Sequence, residues 1–595
     1  MKRGVKQGCP LSALLFILVV EILALQIKNN NKIKGYKLKY KTHERLVKIS
    51  QYADDATLFI NDDDDIQECI NTIEAFSDVA GPKLNINKSI GMHIGRYKGH
   101  ERHIMGITFT NKPIKCLGVF VGGTIEECQN LNWSPKFTTI EDTLEKWKKR
   151  NLSLFGKVTV IKSFILSKIT FIATNCTIPE EMIKKLNSIL FGYIWGKRDR
   201  IKRNVLINDI EYGGIGMVDV ESYLHSLKSR WLERIIGDEL NHSNWSFFAR
   251  HHLNALGENY LCAKFKHITM KSLPQLNLLP KFYQEVIIGN SKTLENAVPI
   301  SHDDIMTEII WGNKHIRYAS KNNCHQCILF KSFIQDGIIY IGDLRFVNGN
   351  VEETYIRSLL KNKCDIFREL TLLRKCLKPF KHILRNHSPD PLNKQYGHEQ
   401  LQIKHSYRSL INEKAEKPFS EEIIKRLLNN YDINFQKICV NKIKYITDKK
   451  LAEFNYKTLH LILPCNKNLK KWGKQNEDTC DVCGELEDIP HLLYYCEHAS
   501  KIWKIVQTHL TEKITLESVL LGNNNMTFTT ITSIVAFLIY KEWLLSKNEN
   551  TCRVWTKSIF LYSNEINFRS KIYYQTKNSK NIGKLLSDIS YSFKQ

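Results

Sequence analysis

The pattern of apolar and polar positions in residues 11–80 predicts two helices separated by a pair of strands. The apolar stretch from Leu11 to Ile27 is long enough for a buried helix, and residues 49–60 are rich in strand formers on both sides of Asp54-Asp55. The second helix follows the acidic run 62–65, whose charge complements the N-terminal end of a helix dipole. Its apolar face consists of Ile66, Ile70, Ile73 and Phe76. The chain is therefore expected to begin with mixed α and β structure.

Residues 81–203 change from short strands to a basic helical region. Apolar alternation predicts three strands: 84–86, 90–94 and 115–121. From about 137 to 174, apolar residues recur at helical spacing while lysines take the other faces. Two basic clusters, 146–150 and 197–203, flank this region, which is predicted to be helical with excess positive charge.

The second half of the chain is less regular. From about 245 to 440 the pattern indicates mainly helices in a polar background, without an internal repeat. A cysteine cluster with flanking helices occupies roughly 450–550. The last residues are rich in Lys, Ser and Asn, which is typical of a frayed end.

Composition adds a strong positive charge. The 595 residues include 86 Lys and Arg against 61 Asp and Glu, so the formal net charge is +25 and a phosphate-rich partner is the first expectation. A hydrophobic content of 43%, with only 29 Gly and 14 Pro, excludes a collagen-like or low-complexity chain. The 16 Cys lack the dense, regular spacing of a small secreted domain. Reduced thiols and an intracellular location are therefore expected.

The N-terminus imitates a signal peptide. Met1-Lys2-Arg3 is basic and Leu11 to Val20 is apolar, but Glu21 ends the run and no small-x-small cleavage site follows. The uninterrupted apolar run is also too short to span a bilayer, and no other membrane segment is apparent. The sequence therefore predicts no membrane partner.

Two adjacent aspartates between apolar strands are the first candidate for chemistry. Asp is a poor strand former and like charges repel, so Asp54-Asp55 is locally unfavourable. Binding of two Mg²⁺ ions about 4 Å apart would relieve the repulsion and support nucleotidyl transfer. Taken alone, the tetrapeptide from Tyr52 to Asp55 is more simply an ordinary turn, because Asp is common in turns.

A glycine-rich loop upstream changes this interpretation. The loop from Arg3 to Ser12 contains Gly4 and Gly8, which let a backbone approach a nucleotide or template closely, while Gln7 and Arg3 offer hydrogen-bond donors. A glycine turn before a core helix would explain each glycine separately. Loop, helix and acidic hairpin in this order are harder to explain by chance.

The motifs resemble the reverse transcriptases of non-LTR retrotransposons, the long interspersed elements. Arg3 to Leu15 is similar to that family's glycine-glutamine loop and helix, and Tyr52 to Asp55 to its catalytic YxDD hairpin. Further similar segments follow in the family's order: Gly81 to Ser89 (strand and lysine segment), Cys116-Leu117-Gly118 (primer-grip turn), and Trp147, Leu154 to Lys157 and Trp195 (helical thumb). The resemblance covers residues 1 to about 235 and again residues from about 450 to 505, with little similarity between these two segments.

The resemblance implies roles for individual residues. Asp54 and Asp55 would ligate Mg²⁺. The nucleotide and template would contact five residues: Arg3, Gln7, Gly8, Tyr52 and Lys88. Lys88 has a competing interpretation as a solvated lysine at a strand end. Tyr52 has one as an aromatic residue in a buried strand.

The family's catalytic centre also needs a third carboxylate, from a strand that precedes the glycine loop. Met1 stands two residues before Arg3, so we expect the chain to lack that Asp, the fingers, the first palm strands and the endonuclease. Without the third ligand, two metal ions cannot be held for in-line displacement. The isolated chain is therefore expected to be an incomplete polymerase.

Four residues near the C-terminus have the spacing of a zinc site: Cys480, Cys483, His491 and Cys496. Gly484 permits the tight turn of a zinc knuckle, and four protein ligands leave no position for water, so the Zn²⁺ is predicted to be structural. A thioredoxin-like Cys-x-x-Cys would leave the histidine and the last cysteine unexplained. His498 is an alternative ligand. The resemblance agrees, since the family carries such a knuckle, followed by an aromatic such as Trp503 and implicated in RNA binding.

These observations predict an α+β chain with a partial polymerase palm, a helical thumb, a long mostly helical connector and a C-terminal zinc knuckle. The expected segments are 1–125, 126–240, 241–445, 446–550 and a polar tail, 551–595. The implied function is RNA-templated DNA synthesis in target-primed retrotransposition, with an RNA template and a DNA primer, in cytoplasm and nucleus. A non-catalytic RNA-binding remnant is the alternative. A group II intron maturase shares the polymerase core but fits the cysteine spacing less well.

Overall fold

The computed structural model describes residues 9–40, 43–95, 101–196, 198–237, 243–253, 274–293, 301–306, 308–313, 315–319, 325–360, 366–389, 403–549, 555–575 and 580–594. The chain divides into two compact units. The first comprises Met1–Thr139, Ile169–Ile183 and Glu221–Leu410; the second comprises Ile140–Lys168, Lys184–Val220 and Ile411–Gln595.

The first unit opens with the predicted helix and strand pair. Helix Pro10–Asn29 has a proline at its first position, where the missing N–H leaves no helical bond unmade. Two antiparallel hairpins follow: Tyr36–Tyr40 with His43–Val47, and Ile49–Tyr52 with Asp55–Leu58. In the second, Tyr52 pairs with Asp55, which leaves a two-residue turn between the strands. The predicted strand pair is confirmed.

Helix Pro10–Asn29 is exposed, so the prediction of a buried helix is wrong. Only Ala24 and Ile27 are buried, in a small cluster with Ile33 and Ile49. The exposed apolar side chains are Leu11, Leu14, Leu15, Ile17, Leu18, Val19, Ile22 and Leu25. The physical reason is that the described residues packed against this helix reach only its C-terminal end.

The acidic run begins the second helix, as predicted. Helix Asp63–Ala80 is capped by Asp62, whose carboxylate accepts the backbone N–H of Asp65 at 3.1 Å. The helix ends at Gly81, which has a φ of +96°, a conformation that glycine adopts without a steric penalty.

Asp65 ties this helix to the first hairpin. Its side chain is fully buried and accepts backbone N–H bonds from Lys34 (2.6 Å), Gly35 (3.2 Å) and Asn61 (2.8 Å). A buried carboxylate is stable only when it is well hydrogen-bonded, and these donors satisfy that need. The start of strand Tyr36–Tyr40 is thereby fixed to the helix.

Short strands complete the N-terminal part of the first unit. A three-stranded sheet has the spatial order Ile90–Met92, Ile107–Thr110, Arg102–Ile104; the first pair is parallel and the second antiparallel. Ile114–Cys116 and Val119–Val121 form another hairpin. The predicted strand at 90–94 is confirmed over Ile90–Met92. The predicted single strand at 115–121 is wrong, because Leu117 and Gly118 adopt positive φ values and turn the chain back into a hairpin.

The predicted strand at 84–86 is wrong. Ile86–Lys88 is a 3-10 turn, because the Asn85 side chain accepts the N–H of Lys88 at 3.2 Å and so offers the backbone an alternative to strand pairing. Lys88 is therefore not a strand-end residue.

The region from about 137 to 174, where apolar residues recur at helical spacing, is helical, and further helices follow it. Their bounds are Ile125–Lys148, Leu154–Val160, Leu166–Asn175, Glu180–Trp195 and Val220–Gly237. Ile161–Ile165 is a π-helical turn between the second and the third. The spaced apolar residues are buried, which confirms the prediction: Leu154, Val158, Ile161, Ile165 and Ile169.

The described parts of residues 243–389 contain more strand than the sequence pattern indicates. The helices described there are Asn244–Leu253, Lys281–Thr293, His302–Met306, Lys331–Gln335, Glu353–Leu359 and Phe367–Leu377, with 3-10 turns at Pro274–Leu278, Ile341–Asp343 and Lys378–Phe380. Arg317–Ala319 pairs with His325–Cys327, and Phe346–Val347 with Asn350–Val351. Strands of two or three residues are too short to produce a visible apolar alternation. Helix Ile403–Lys414 follows.

The second unit is helical in its described residues. After Arg203–Leu206 and the 3-10 turn Ile210–Tyr212, its helices are Phe419–Leu427, Phe435–Cys439, Lys449–Leu459, Asn466–Lys471, Glu497–Gln507, Leu516–Leu521, Met526–Asn548, Trp555–Gln575 and Lys580–Ser592, with π-helical turns Val440–Lys444 and His491–Tyr495. Tyr456 and Trp543 are among its largest fully buried side chains.

The described C-terminal residues are folded, contrary to the predicted frayed tail. Helices Trp555–Gln575 and Lys580–Ser592 bury four apolar side chains, Tyr562, Ile566, Leu586 and Ile589, and Phe593 is buried directly after the second helix. These residues recur at helical spacing within each helix, but a polar composition around them masks the pattern.

Two described helices are long and apolar enough to cross a membrane: Pro10–Asn29, near the N-terminus, and Met526–Asn548. Most of the second is buried inside the protein. The first is longer than the apolar run in the sequence because the helix continues past Glu21.

Candidate functional sites: an acidic hairpin and a cysteine–histidine cluster

The acidic pair lies at the tip of the hairpin Ile49–Tyr52 with Asp55–Leu58. Ala53, directly before Asp54, has a φ of +51°, a left-handed conformation that costs a non-glycine residue about 1 kcal/mol. The Gln51 side chain donates to the Ala53 carbonyl oxygen at 3.3 Å and braces the turn. Strained turns of this kind concentrate at functional sites, where the surrounding structure holds them in place.

The side chains at this tip face solvent. Asp54 and Asp55 are exposed, and Tyr52 is 70% exposed. The interpretation of Tyr52 as an aromatic in a buried strand is therefore wrong, whereas its contact with a nucleotide stays a prediction. The tip is open to a cation or a substrate.

The turn that resembles a primer grip lies beside the acidic hairpin. The Thr57 hydroxyl and the Cys116 thiol are 4.0 Å apart. Leu117 and Gly118 follow Cys116 with φ values of +46° and +86°, as the central residues of a type I′ turn have. Two motifs that are distant in sequence thus come together within the first unit.

The other residues predicted to contact nucleotide and template are not placed at this tip. Arg3, Gln7 and Gly8 lie outside the described residues. Lys88 is exposed at the end of the turn Ile86–Lys88. Within the described segments, one group of at least three His, Cys, Asp or Glu side chains can hold a metal ion, and it lies elsewhere. No third ligand of these types therefore joins Asp54 and Asp55 in the part of the chain that the structure describes.

The basic cluster 197–203 is engaged in contacts within the second unit. Three cations have partners: Arg200 with the Trp472 ring (4.1 Å to its centre), Lys202 with Glu416 (2.9 Å) and Arg203 with Asp199 (2.8 Å). In the other cluster, 146–150, Lys146 and Lys149 are exposed. These two clusters therefore offer less unpaired positive charge to a phosphate-rich partner than the sequence indicates.

Four side chains converge at the predicted zinc site. The candidate ligand atoms of Cys480, Cys483, His491 and Cys496 all lie within 4.8 Å of one another. The sulfurs of Cys480 and Cys496 are 3.8 Å apart, which matches the edge of a tetrahedron with Zn–S bonds of about 2.3 Å. Cys483 Sγ is 3.2 Å from His491 Nε2. This donor set fits a closed, four-coordinate zinc site, as the sequence predicts.

A tight turn presents the first two cysteines. The Gly484 N–H donates to the Cys480 carbonyl at 2.9 Å with Gly484 at a φ of +74°, and the Cys480 N–H donates to the Glu485 carbonyl at 2.7 Å. Hydrogen bonding with the Cys496 thiol, aided by backbone N–H groups of the turn, lowers the pKa of Cys480 to about 3. Burial raises the pKa of Cys483. A thiolate is the form that binds metal.

The other two ligands are held by a turn and a helix start. The His491 N–H donates to Asp488 Oδ1 at 3.0 Å, and the Cys496 N–H to the His491 carbonyl at 2.7 Å. Cys496 also occupies the N-cap of helix Glu497–Gln507, where the helix dipole favours a thiolate. Trp503 is buried beneath this turn, so it supports the cluster and is not an exposed aromatic.

Sequence reasoning did not identify Asn466 and Glu487 as supports of the knuckle. Asn466 Nδ2 donates to the Thr479 carbonyl at 2.6 Å, next to Cys480. The Asn466 backbone N–H donates to the fully buried Glu487 carboxylate at 3.1 Å. Their partners are distant in sequence, so no local spacing reveals them.

His498 is not part of the cluster, so the alternative ligand is wrong. Its Nε2 lies 2.9 Å from Glu542 Oε2, and the same carboxylate oxygen accepts the Tyr562 hydroxyl at 2.9 Å. Both His498 and Glu542 are buried. The helix that begins after Cys496 turns His498 toward these partners.

Comparisons with known proteins identify two segments. Residues 1–121 match the family "Reverse transcriptase (RNA-dependent DNA polymerase)", and residues 402–503 match "zinc-binding in reverse transcriptase". The chain is 27% identical over 242 residues to the "Transposon TX1 uncharacterized 149 kDa protein" of Xenopus laevis. That similarity covers 39% of this chain and 18% of the relative.

Proposed function

We propose that the acidic hairpin serves RNA-templated DNA synthesis, in a chain that carries the reverse transcriptase and zinc-binding segments of a non-LTR retrotransposon protein. The observation that supports this most directly is the position of Asp54 and Asp55 at an exposed hairpin tip. Both carboxylates are accessible to a divalent cation and to a nucleotide at that tip.

In this proposal Asp54 and Asp55 hold Mg²⁺, a hard cation that prefers carboxylate oxygens. When bound, Mg²⁺ supplies activation of the primer hydroxyl and stabilisation of the leaving group. The contribution of the protein is preorganisation: the strained Ala53 and the Gln51 side chain fix the turn before a ligand arrives.

Two carboxylates are fewer ligands than two Mg²⁺ ions need. We therefore assign the remaining ligands to residues outside the described segments or to another polypeptide, and we expect the chain by itself to extend primers weakly or not at all. Arg3, Gln7, Gly8, Tyr52 and Lys88 are assigned to nucleotide and template contacts on resemblance.

The partners in this proposal are an RNA template and a DNA primer, and the location is a ribonucleoprotein in cytoplasm and nucleus. The cysteine–histidine cluster binds a structural zinc ion through Cys480, Cys483, His491 and Cys496. With all four positions filled by protein, the zinc orders the fold and takes no part in phosphoryl chemistry.

Manganese binding tests the metal site separately from catalysis. Mn²⁺ titration followed by electron paramagnetic resonance is expected to show weakening of about tenfold or more in Asp54→Asn and in Asp55→Asn, since each removes one ligand. Asp64→Asn is the matched control, because Asp64 is an exposed carboxylate on helix Asp63–Ala80. Equal Mn²⁺ binding by all four proteins would overturn the metal assignment.

Primer extension on an RNA template with Mg²⁺ then tests the activity. Robust extension that Asp55→Asn abolishes would support the polymerase assignment and overturn the expected incompleteness. Extension that survives both substitutions would exclude the hairpin as the catalytic site. RNA binding without extension and without Mn²⁺ binding would favour the alternative function, a non-catalytic RNA-binding remnant.

A further inference from the structure

Helix Asn244–Leu253, in the segment where the sequence is uninformative, exposes two large aromatic rings. Trp245 is 43% exposed and Phe248 is 39% exposed. They lie three residues apart, so both occupy one side of the helix, separated by a rise of about 4.5 Å. The opposite side is buried through Ser246, Phe247, Ala249 and Leu253. The exposed rings therefore belong to a helix that is already anchored in a core.

An inner ring supports each exposed ring edge-on. Trp245 meets Trp231 at 5.5 Å and 79°, and the Trp231 indole is fixed by donation to the Thr174 carbonyl at 2.8 Å. Phe248 meets His252 at 4.6 Å and 78°. His252 in turn stacks on Tyr283 at 5.7 Å and 27°. Two rings held in this way are preorganised, so a ligand that contacts them has little ordering cost.

The helix is also joined to the part of the first unit that carries the acidic hairpin. Phe247 packs with Leu38 and Val47 of the first hairpin and with Phe59, the residue after strand Asp55–Leu58. The Arg45 guanidinium lies 4.9 Å from the centre of the Phe247 ring. A strand bound at the aromatic rings would therefore lie on the same unit as Asp54 and Asp55.

The local charge suits an anion. The helix sequence from Asn244 to Leu253 contains one Arg, two His and no acidic residue. Arg234 is exposed, with its guanidinium 5.6 Å from the centre of the Trp231 ring. The carboxylate of Glu285, on a neighbouring helix, pairs with the buried Lys228, with 3.4 Å between Glu285 Oε2 and Lys228 Nζ.

We propose that Trp245 and Phe248 form a stacking platform for the bases of a single-stranded nucleic acid, with Arg234 near its phosphates. Aromatic side chains beside cations bind single strands with little sequence preference, because every base has a face that stacks. This inference rests on the proposed function, since a reverse transcriptase handles an unpaired template. It adds a binding site that neither the acidic hairpin nor the zinc cluster contains.

Fluorescence anisotropy of a labelled single-stranded RNA with the full chain tests the platform. Trp245→Ala and Phe248→Ala are each expected to weaken binding about tenfold, and Trp245→Phe to retain most of the affinity. Phe568→Ala is the control, because Phe568 is 62% exposed on helix Trp555–Gln575 and should leave binding unchanged. Unchanged affinity in both alanine variants, or tighter binding of duplex than of single strand, would overturn the platform.

Photo-crosslinking tests the platform in the unaltered chain, so misfolding of a variant cannot account for its result. RNA containing 4-thiouridine is expected to crosslink to the peptide 244–253 in the unaltered chain, and a crosslink map that omits this peptide would overturn the proposal. Failure of the platform is thus read from RNA binding and crosslinks, whereas failure of the polymerase proposal is read from Mn²⁺ binding and primer extension.

Discussion

Trp503 donates its indole N–H to the carbonyl oxygen of Leu493 at 2.8 Å, within the turn that carries the ligands His491 and Cys496. Trp503 is 5% exposed and lies on helix Glu497–Gln507. The bond therefore fastens this helix to the metal-binding turn. Metal binding and folding of this region are coupled through it, because ligands in the unfolded chain are not preassembled.

Trp503→Phe keeps an aromatic ring in this position but removes the donor. We expect a loss of about 1–3 kcal/mol in unfolding free energy, because a buried carbonyl loses its partner, together with faster zinc loss to a chelator. Thermal unfolding and chelator competition measure the two effects. Tyr495→Phe is the control, since Tyr495 is 62% exposed beside Cys496; equal effects in both variants would contradict the role of the Trp503 bond.

Removal of one zinc ligand is expected to unfold the knuckle. The purified chain should contain about one equivalent of zinc, and Cys483→Ser less than roughly a tenth, with loss of helical circular dichroism. Cys9→Ser removes an exposed thiol from the other unit and should retain the metal. Full helical content and stability in metal-free protein would show that the cluster is not structural.

Lys442 is expected to make the stability of the second unit depend on pH. It is 1% exposed and donates to the Val519 carbonyl, and burial lowers its pKa to about 7. Between pH 7 and about pH 10 the unfolded chain binds a proton there that the folded chain does not, so stability should rise with pH by about 1.4 kcal/mol per unit. Below pH 7 this contribution no longer changes.

Denaturant unfolding of Lys442→Met at several pH values measures this effect. The variant should be more stable than the unaltered chain at pH 7, because no buried amine has to lose its proton, and the difference should shrink as pH rises. Lys437→Met, at an exposed position on helix Phe435–Cys439, is the matched control. A difference that does not vary with pH would show that Lys442 is charged in the folded protein.

Asp65→Ala is expected to destabilise the first unit by about 3 kcal/mol or more. It leaves three backbone N–H groups, those of Lys34, Gly35 and Asn61, without their carboxylate acceptor, and each unsatisfied donor costs about 1–3 kcal/mol. Chemical denaturation measures the loss. Asp64→Ala changes an exposed neighbour on the same helix and should cost little; a similar loss in both variants would mean that helix charge, and not the buried acceptor, is responsible.

The features that the sequence predicted well depend on residues close together in the chain. The acidic hairpin needs two strand-forming segments and a two-residue turn, and its pairing of Tyr52 with Asp55 follows from that local pattern. The zinc ligands span only 480–496, and ligand spacing alone restricts which metal they suit. The acidic start and glycine end of helix Asp63–Ala80 are likewise read within a few residues.

The features that the sequence did not predict depend on partners far along the chain. Exposure of helix Pro10–Asn29 depends on what packs against it, and its own hydrophobicity does not reveal that. In the sequence, Arg200 and Lys202 look available for phosphate. In the fold, Arg200 contacts the Trp472 ring and Lys202 pairs with Glu416. His498 has a suitable position for a ligand, but the fold directs it to Glu542.

The sequence by itself thus determined the chemical groups of this protein, namely a carboxylate pair in a turn and four soft or nitrogen ligands at zinc spacing, because covalent neighbours and short-range backbone geometry restrict them. Only the tertiary structure decided which cations and aromatic rings remain open to a partner. Burial and pairing of a side chain are set by the sum of its contacts with residues outside its own segment, from tens to hundreds of positions away, and that sum has no local signature.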